Sequence, residues 1–498
     1  MKEQHHLTLF AVGLLLASGA RVSAAVHYVD AGGDNATPPY TNWTTAATNI
    51  QDAVDAAVTG DAIVVTNGSY GRLTVDKPLD IHSVNGPQLT IINGVGMFRC
   101  ADLSQRVSLS GFTLAGGHVS DGSAGAGVRF GTLNNCLLVS NSVSFVWEGV
   151  SGANIACRGG GAYLCALNNC TLIGNSVTLS LVASVYGDYH HGDTISVYGG
   201  GADGCALNNC TLIGNSASAY IYDGLFYGPV NFASAYGGGA SGCTLNNCTL
   251  TGNLISAYSY CYGAGCRDFC NTYLNTCSDD YSCQMVNCIV GCASHSSTMN
   301  HCCTTPPRYG IGNITSAPLF VDQAGGNLRL QSNSPCINAG NNSYLTNSSF
   351  TNCFDLDGNP RIAGGTVDIG AYEFQAPTSL ISYAWLQQYG LPTDGSADFI
   401  DPDGDGMNNW QEWRCGTDPT NALSVLRMVA AAPTGTNVMV TWQSVAGINY
   451  FLERSASLAP PAFTPVAGFI TGQAITTTFT DTNAAGSGPA FYRVGVGN

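Results

Sequence analysis

The stretch Gly159-Gly160-Gly161-Ala162-Tyr163-Leu164-Cys165-Ala166-Leu167-Asn168-Asn169-Cys170-Thr171-Leu172-Ile173-Gly174-Asn175-Ser176 returns almost verbatim from Gly199 to Ser216. It returns again from Gly237 to Asn253, more loosely at Ser282 to Val290, and in an earlier form from Gly131 to Ser142. The C-terminal cysteines of these units are Cys136, Cys170, Cys210, Cys248 and Cys288, spaced 34, 40, 38 and 40 residues apart. A period of this size means a solenoid or a propeller. Side-chain alternation decides between them. Cys165-x-Leu167 and Cys170-x-Leu172 each place two apolar groups on one strand face. Asn168-Asn169 turns the chain, because asparagine tolerates left-handed backbone angles, and Gly174-Asn175 makes a second corner. Strand, corner, strand, corner, strand is one coil of a parallel β-helix, with the next coil about 4.8 Å above it. A propeller needs hairpins, and the unit has no hairpin turns at suitable spacing.

The chain of 498 residues divides on this reading into four parts. Residues 1–25 read as a secretory signal: Lys2, an apolar run from Leu7 to Ala20, then small residues at Val22-Ser23-Ala24-Ala25. That run is short for a membrane span, so no transmembrane segment is expected after its removal. Residues 26–375 form the β-helix, 376–424 a calcium-loop module and 425–498 a small β-sandwich. Before the first coils, Ile50, Ala53, Val54, Ala57 and Val58 fall on one face of a capping helix, with Asn49 as N-cap and Gly60 as terminator. The fold class is therefore all-β: a right-handed parallel β-helix solenoid with an N-terminal cap and two small C-terminal additions.

Sixteen Lys and Arg face 32 Asp and Glu, a formal charge of −16. Nucleic acid and anionic membranes need basic footprints and are excluded as partners. A neutral glycan or a bound cation is compatible with this balance.

Ile50-Gln51-Asp52-Ala53-Val54-Asp55-Ala56-Ala57, followed by Ala62-Ile63-Val64-Val65-Thr66-Asn67-Gly68-Ser69-Tyr70, resembles the start of pectate-lyase-like and pectin-esterase-like β-helices. The Gly-Gly-Ala and Asn-Asn-Cys units are similar to repeats of chlamydial-type polymorphic outer-membrane proteins. Pro318 to Asp322, Ser334 to Gly340 and Asp355 to Glu373 resemble the segment that closes many exported bacterial β-helices. These resemblances imply a secreted or outer-surface location. They imply a scaffold that hosts lyases, hydrolases, esterases, adhesins and inert repeats alike.

Twenty-one cysteines invite a disulfide reading. In-register cysteines on stacked coils, however, sit about 4.8 Å apart at Cβ, wider than a bridge prefers. Stacked free thiols are expected in the core, with bridges placed among Cys261, Cys266, Cys270, Cys277, Cys302 and Cys303.

Asp401-Pro402-Asp403-Gly404-Asp405-Gly406-Met407-Asn408-Asn409-Trp410-Gln411-Glu412 fits the twelve-residue calcium loop. Carboxylates stand at positions 1, 3 and 5, Gly406 makes the sharp turn, and Glu412 supplies a bidentate carboxylate. Met407 would add its backbone carbonyl, and Asn409 its side chain or a water-bridged contact. The expected ion is Ca2+, in a structural role. The segment resembles thrombospondin-type-3 and dockerin-like modules, but one loop rather than two argues against docking. The alternating Val438-x-Val440-x-Trp442 and Tyr450-x-Leu452 then read as strands of a sandwich similar to fibronectin-type-III-like modules.

The inserts between repeats, 143–158, 177–198 and 217–236, leave the coil at one point and read as loops stacked into a continuous surface. Their candidate ligand contacts are Trp147, Tyr186, Tyr189, His190, Tyr222 and Tyr227. No catalytic residue is assigned. Asp188 and Asp193 beside His190-His191 are the best paired carboxylates, although a solvated loop is the plainer reading. Arg129, Arg158 and Arg267 have no acidic cluster near them in the sequence. The dense charges Asp355, Asp357, Arg361, Asp368 and Glu373 read as knitting the closing segment. The leading expectation is a monomeric, non-enzymatic protein that binds polysaccharide or another extended partner. The alternatives are a lyase or hydrolase of uronic-acid-rich glycans, and a purely structural surface protein.

Overall fold

A computed structural model describes residues 24–148, 154–183, 194–223, 232–261, 272–294, 296–345, 354–458, 463–482, 484 and 490–496. The first 23 residues, read above as most of a signal, lie outside them. Three parallel sheets run the length of a β-helix solenoid. They have ten strands (Val26–Val29 to Thr298–Asn300), nine strands (Gly68–Tyr70 to Cys303–Thr304) and seven strands (Leu73–Val75 to Asp280–Tyr281). The corner asparagines behave as the repeat predicts: Asn135, Asn169, Asn209, Asn247 and Asn287 all have φ near +50°. Inside, Leu133, Leu167, Leu207 and Leu245 stack in register, each nearly or fully buried.

Beside them run the thiols. Cys136, Cys170, Cys210, Cys248, Cys288 and Cys302 form one buried column, and Cys165, Cys205, Cys243 and Cys283 another, all unbridged. Burial pushes the Cys136 and Cys243 thiols well up, which keeps them protonated and inert. The bridge found among the described residues joins Cys277 to Cys292. This corrects the expected set: Cys302 and Cys303 are free, Cys302 buried in the thiol column of the solenoid core and Cys303 on the opposite side, in the core under the closing segment. The side chains of Cys261, Cys266 and Cys270 lie outside the described residues.

A column of buried asparagines holds the second corner. Asn175 donates its backbone N–H and a side-chain N–H to Asn215 Oδ1, both at 2.9 Å, and its second amide hydrogen to Leu138 O at 3.0 Å. Asn141, Asn215 and Asn253 repeat this pattern toward the following coil. The column ends at Asp279, whose Oδ1 accepts both Asn253 N–H groups and whose Oδ2 accepts Cys292 N–H at 2.7 Å. An asparagine there would aim a donor at a donor. A carboxylate is the side chain that accepts on both oxygens, and burial pushes it up to about 6.

Helix Ile50–Ala56, capped by Asn49, covers the N-terminal strands and buries Ile50, Ala53 and Val54. It ends two residues before Val58, which is exposed. At the other end the closing segment folds back on the nine-stranded sheet. Ala371 N–H meets Thr249 Oγ1 at 3.0 Å, and Asn209 Nδ2 donates to Phe354 O at 2.8 Å. Its charged residues are knit as expected. Asp355 accepts from the backbones of Asp357, Asn359 and Glu373, while buried Arg361 donates to Asp368 O. Burial pushes Asp368 up to about 7 and Glu373 up to about 9. The last strands form two three-stranded antiparallel sheets around Val440, Trp442, Tyr450 and Leu452.

The inserts are not loops along most of their length. Outgoing strands Ser142–Trp147, Ser176–Ala183, Ser216–Asp223 and Leu254–Cys261 make one parallel sheet. Returning strands Asn154–Arg158, Thr194–Tyr198 and Phe232–Tyr236 make another. Between them Val177, Leu179, Leu181, Ile195, Val197 and Ile221 form a second core, so the middle coils of the solenoid carry a two-layered wing. Antiparallel Thr272–Cys277 covers the last outgoing strand. The glycine triplets are where the wing rejoins the coil. A Cβ on Gly200 would collide with the carbonyl oxygens of Ser216 and Gly238. Gly200→Ala is therefore expected to cost about 3 kcal/mol, read as a lowered urea midpoint; an unchanged midpoint would show that the corner yields.

Candidate functional site

The wing re-sorts the expected ligand contacts. Trp147 does not face a partner: it is half-buried against the wing core, 6.1 Å from Phe145, because position 147 shares the inward register with Leu181 and Ile221. Tyr222 does face outward, about half exposed, beside Tyr220 and Tyr258. Tyr186, Tyr189, His190 and Tyr227, with Asp188, Asp193 and Arg267, lie outside the described residues.

A different surface gathers the aromatic and charged side chains. Each returning strand ends on an outward residue just before its glycine triplet, and Arg158, Tyr198 and Tyr236 stand in register there. On the adjoining coil sheet the outward row is Asp102, Arg129, Tyr163, Asp203, Ser241 and Tyr281. The two rows touch across the glycine corner. Arg158 Nη1 lies 3.2 Å from Asp203 Oδ2 and its guanidinium 4.2 Å over the Tyr198 ring. Tyr198 stacks on Tyr236 at 5.1 Å, and Tyr281 reaches Tyr236 at 4.3 Å. Outward side chains that meet across a corner line an inside angle, so wing and coil enclose a concave seam. From Asp102 to Tyr281 it spans five coil steps, about 24 Å at 4.8 Å each. At the Asp102 end it opens into a cavity of about 290 Å³ lined by Arg72, Phe98, Arg99, Asp102, His118 and Asp121.

Its charges are paired. Asp102 takes Arg129 on both oxygens, at 3.0 and 2.7 Å, and Arg99 at 3.2 Å. Burial pushes the Asp203 carboxyl up against the opposing pull of Arg158. Arg129 and Arg158 thus each have a single aspartate partner rather than an acidic cluster. Their partners are 27 and 45 residues away in sequence but adjacent across coils. The readable signal was the residue preceding each triplet. The hydroxyls of Tyr163, Tyr198, Tyr236 and Tyr281 make no hydrogen bond among the described residues.

The second candidate is the acidic loop. Ligand oxygens of Asp401, Asp403 and Asp405 lie within 4.8 Å of one another. Asp401 is fixed by the N–H groups of Gly404 and Gly406, at 2.8 and 2.9 Å, and Asp405 by that of Met407 at 2.8 Å. The following helix, Asn409–Cys415, begins with a capping box on Asn408 and carries Glu412 to the cluster. Glu412 is fully buried, and among the described residues both its carboxylate oxygens are without a partner, as are Asp403 Oδ2, Asp405 Oδ2 and Asn409 Oδ1. Burial and the three aspartates push Glu412 up to about 7. Orphaned, buried oxygens converging from a loop fit a hard divalent cation. Met407 instead offers its sulfur to Leu426 N–H at 3.3 Å, which leaves its carbonyl for the loop. Gly416 ends the helix where an added Cβ would lie within 3.5 Å of the Val445 and Ile448 side chains, and Trp413 packs on the closing-segment core.

No family model matches the chain, and no curated protein matches it. Among solved structures it is similar to pectate lyase Pel9A at 16% identity and a TM-score of 0.29, over 71% of this chain and 97% of that one. It is also similar to a rhamnogalacturonan lyase at 11% identity and a TM-score of 0.19, over 61% and 92%. No helix among the described residues is long and apolar enough to cross a membrane.

Proposed function

We propose that this chain is an exported, surface-exposed β-helix that binds polysaccharide along the concave seam, with a calcium ion in the acidic loop bracing its C-terminal part. One observation carries the binding reading: Tyr198 and Tyr236 in register at coil spacing, flanked by Tyr163 and Tyr281 on the adjoining row, their hydroxyls without partners among the described residues, in a seam several sugar rings long. Phenol hydroxyls donate and accept, and the rings offer apolar surface, which is what a sugar chain presents in return. Calcium fits the loop because the five unpartnered side-chain oxygens of Asp403, Asp405, Asn409 and Glu412 need a cation to offset their burial. The helix that follows then spans from the closing segment to the sandwich as a fixed strut.

Affinity electrophoresis against a polysaccharide panel tests this. Tyr236→Ala is expected to weaken retardation roughly tenfold, the loss of about 1.4 kcal/mol for one ring, while Tyr222→Ala leaves it unchanged. The reverse pattern would move the site to the outer wing. New unsaturated or reducing ends after incubation would make the protein a lyase or a hydrolase.

A further inference from the structure

We infer that the seam selects uncharged glycans and rejects polyuronates and other polyanionic chains, an inference that rests on the seam being the glycan site. The arginines that would recognise acidic sugars are already committed. Arg129 is bound on two nitrogens by Asp102. Arg99 spends its donors on Asp102, Gly125 O, Ala124 O and Ser123. Arg158 is held between Asp203 and the Tyr198 ring. A carboxylate could enter only by displacing an aspartate. Asp203 is 3% exposed, so displacing it would strand a buried charge, which costs several kcal/mol.

One guanidinium in the cavity, Arg72, has no carboxylate partner among the described residues; it lies 4.6 Å over Phe98. Asp121 lines the same cavity. Together Arg72, Arg99, Arg129 and Arg158 against Asp102, Asp121 and Asp203 leave a balance of one positive charge (four minus three) on a chain of formal charge −16. A polyuronate with one carboxylate per sugar would lay several negative charges along this seam against that single guanidinium. The rest of the acidic protein is screened beyond the Debye length of about 8 Å, so that one guanidinium could match one carboxylate and the others would lie along the seam without a counter-charge. An uncharged glycan meets none of these costs. It finds four phenol hydroxyls without a partner among the described residues, on Tyr163, Tyr198, Tyr236 and Tyr281, and the ring surfaces between them.

The test uses the full mature chain, loaded with calcium, in affinity electrophoresis and calorimetric titration. The probes are neutral polymers (β-glucan, xylan, galactan and mannan) and acidic ones (polygalacturonate and alginate), at low and high salt. At least one neutral polymer should be retarded, with an affinity that changes less than about twofold with salt because no ion pair forms. Tyr236→Phe, which removes a hydroxyl and keeps the packing, should weaken it about threefold to tenfold. Polyuronate binding that collapses at high salt would overturn the selectivity, and the seam reading would survive it if Tyr236→Phe still weakened that binding. Retardation by no polymer would overturn the seam reading and the selectivity together.

Discussion

Asn215→Ala is expected to destabilise the solenoid by about 3–5 kcal/mol, the sum of two buried donors and one carbonyl left without partners. The donors are the backbone and side-chain N–H of Asn175, which share Asn215 Oδ1, and the carbonyl is Leu172 O, which accepts Asn215 Nδ2 at 3.0 Å. No water reaches this corner to replace them, since Asn175, Asn215 and Asn253 are all fully buried. The loss should appear as a lower urea midpoint and as faster hydrogen exchange at Asn175. Asn215→Asp should do at least as much harm. It restores the acceptor but turns an oxygen toward Leu172 O and Asn253 Oδ1, where donors belong. Wild-type stability in either variant would mean that the column is ornamental.

Calcium removal should have the next largest effect. A ligand held at a hundred times its Kd stabilises the folded state by about 2.7 kcal/mol. Chelation also returns the repulsion among Asp401, Asp403, Asp405 and Glu412 that the cation would offset. A lower melting temperature in chelator, restored by calcium and not by the same concentration of sodium, is the expected result. Glu412→Gln should keep the helix and weaken calcium binding at least about tenfold, since one charged bidentate ligand becomes neutral. A calorimetric titration of the wild type without heat or saturation would remove calcium from the account.

Much of the fold was legible because a solenoid repeats its physics. Asn169 and Gly174 mark the corners at every turn, and the Cys-x-Leu alternation marks which face is inside. The capping helix was legible from its apolar period, and the acidic loop from ligand spacing alone. The wing was not. Val177-x-Leu179-x-Leu181 and Ile195-x-Val197 do alternate, but the backbone partners that make them strands lie on neighbouring coils, about 40 residues away in sequence. Trp147 is hidden for the same reason: it stands in an apparent loop, and only its register with Leu181 on the next coil shows that it points inward. The seam was invisible for a related one. Arg158, Tyr198 and Tyr236 occupy one position of the repeat while differing in chemistry, so similarity between units passed over the place where the units differ.

The asparagine column also bears on how such a chain can change its length. Every rung donates toward the next coil and accepts from the previous one, so any interior unit can follow any other. Duplicating the residues between Asn175 and Asn215 would add a coil in which every amide is satisfied. Duplicating the unit that holds Asp279 would not, because a carboxylate has no hydrogen to pass on. The column is thus a polymer with an arrow and a stop, and new coils can be spliced into its middle but not beyond its last member.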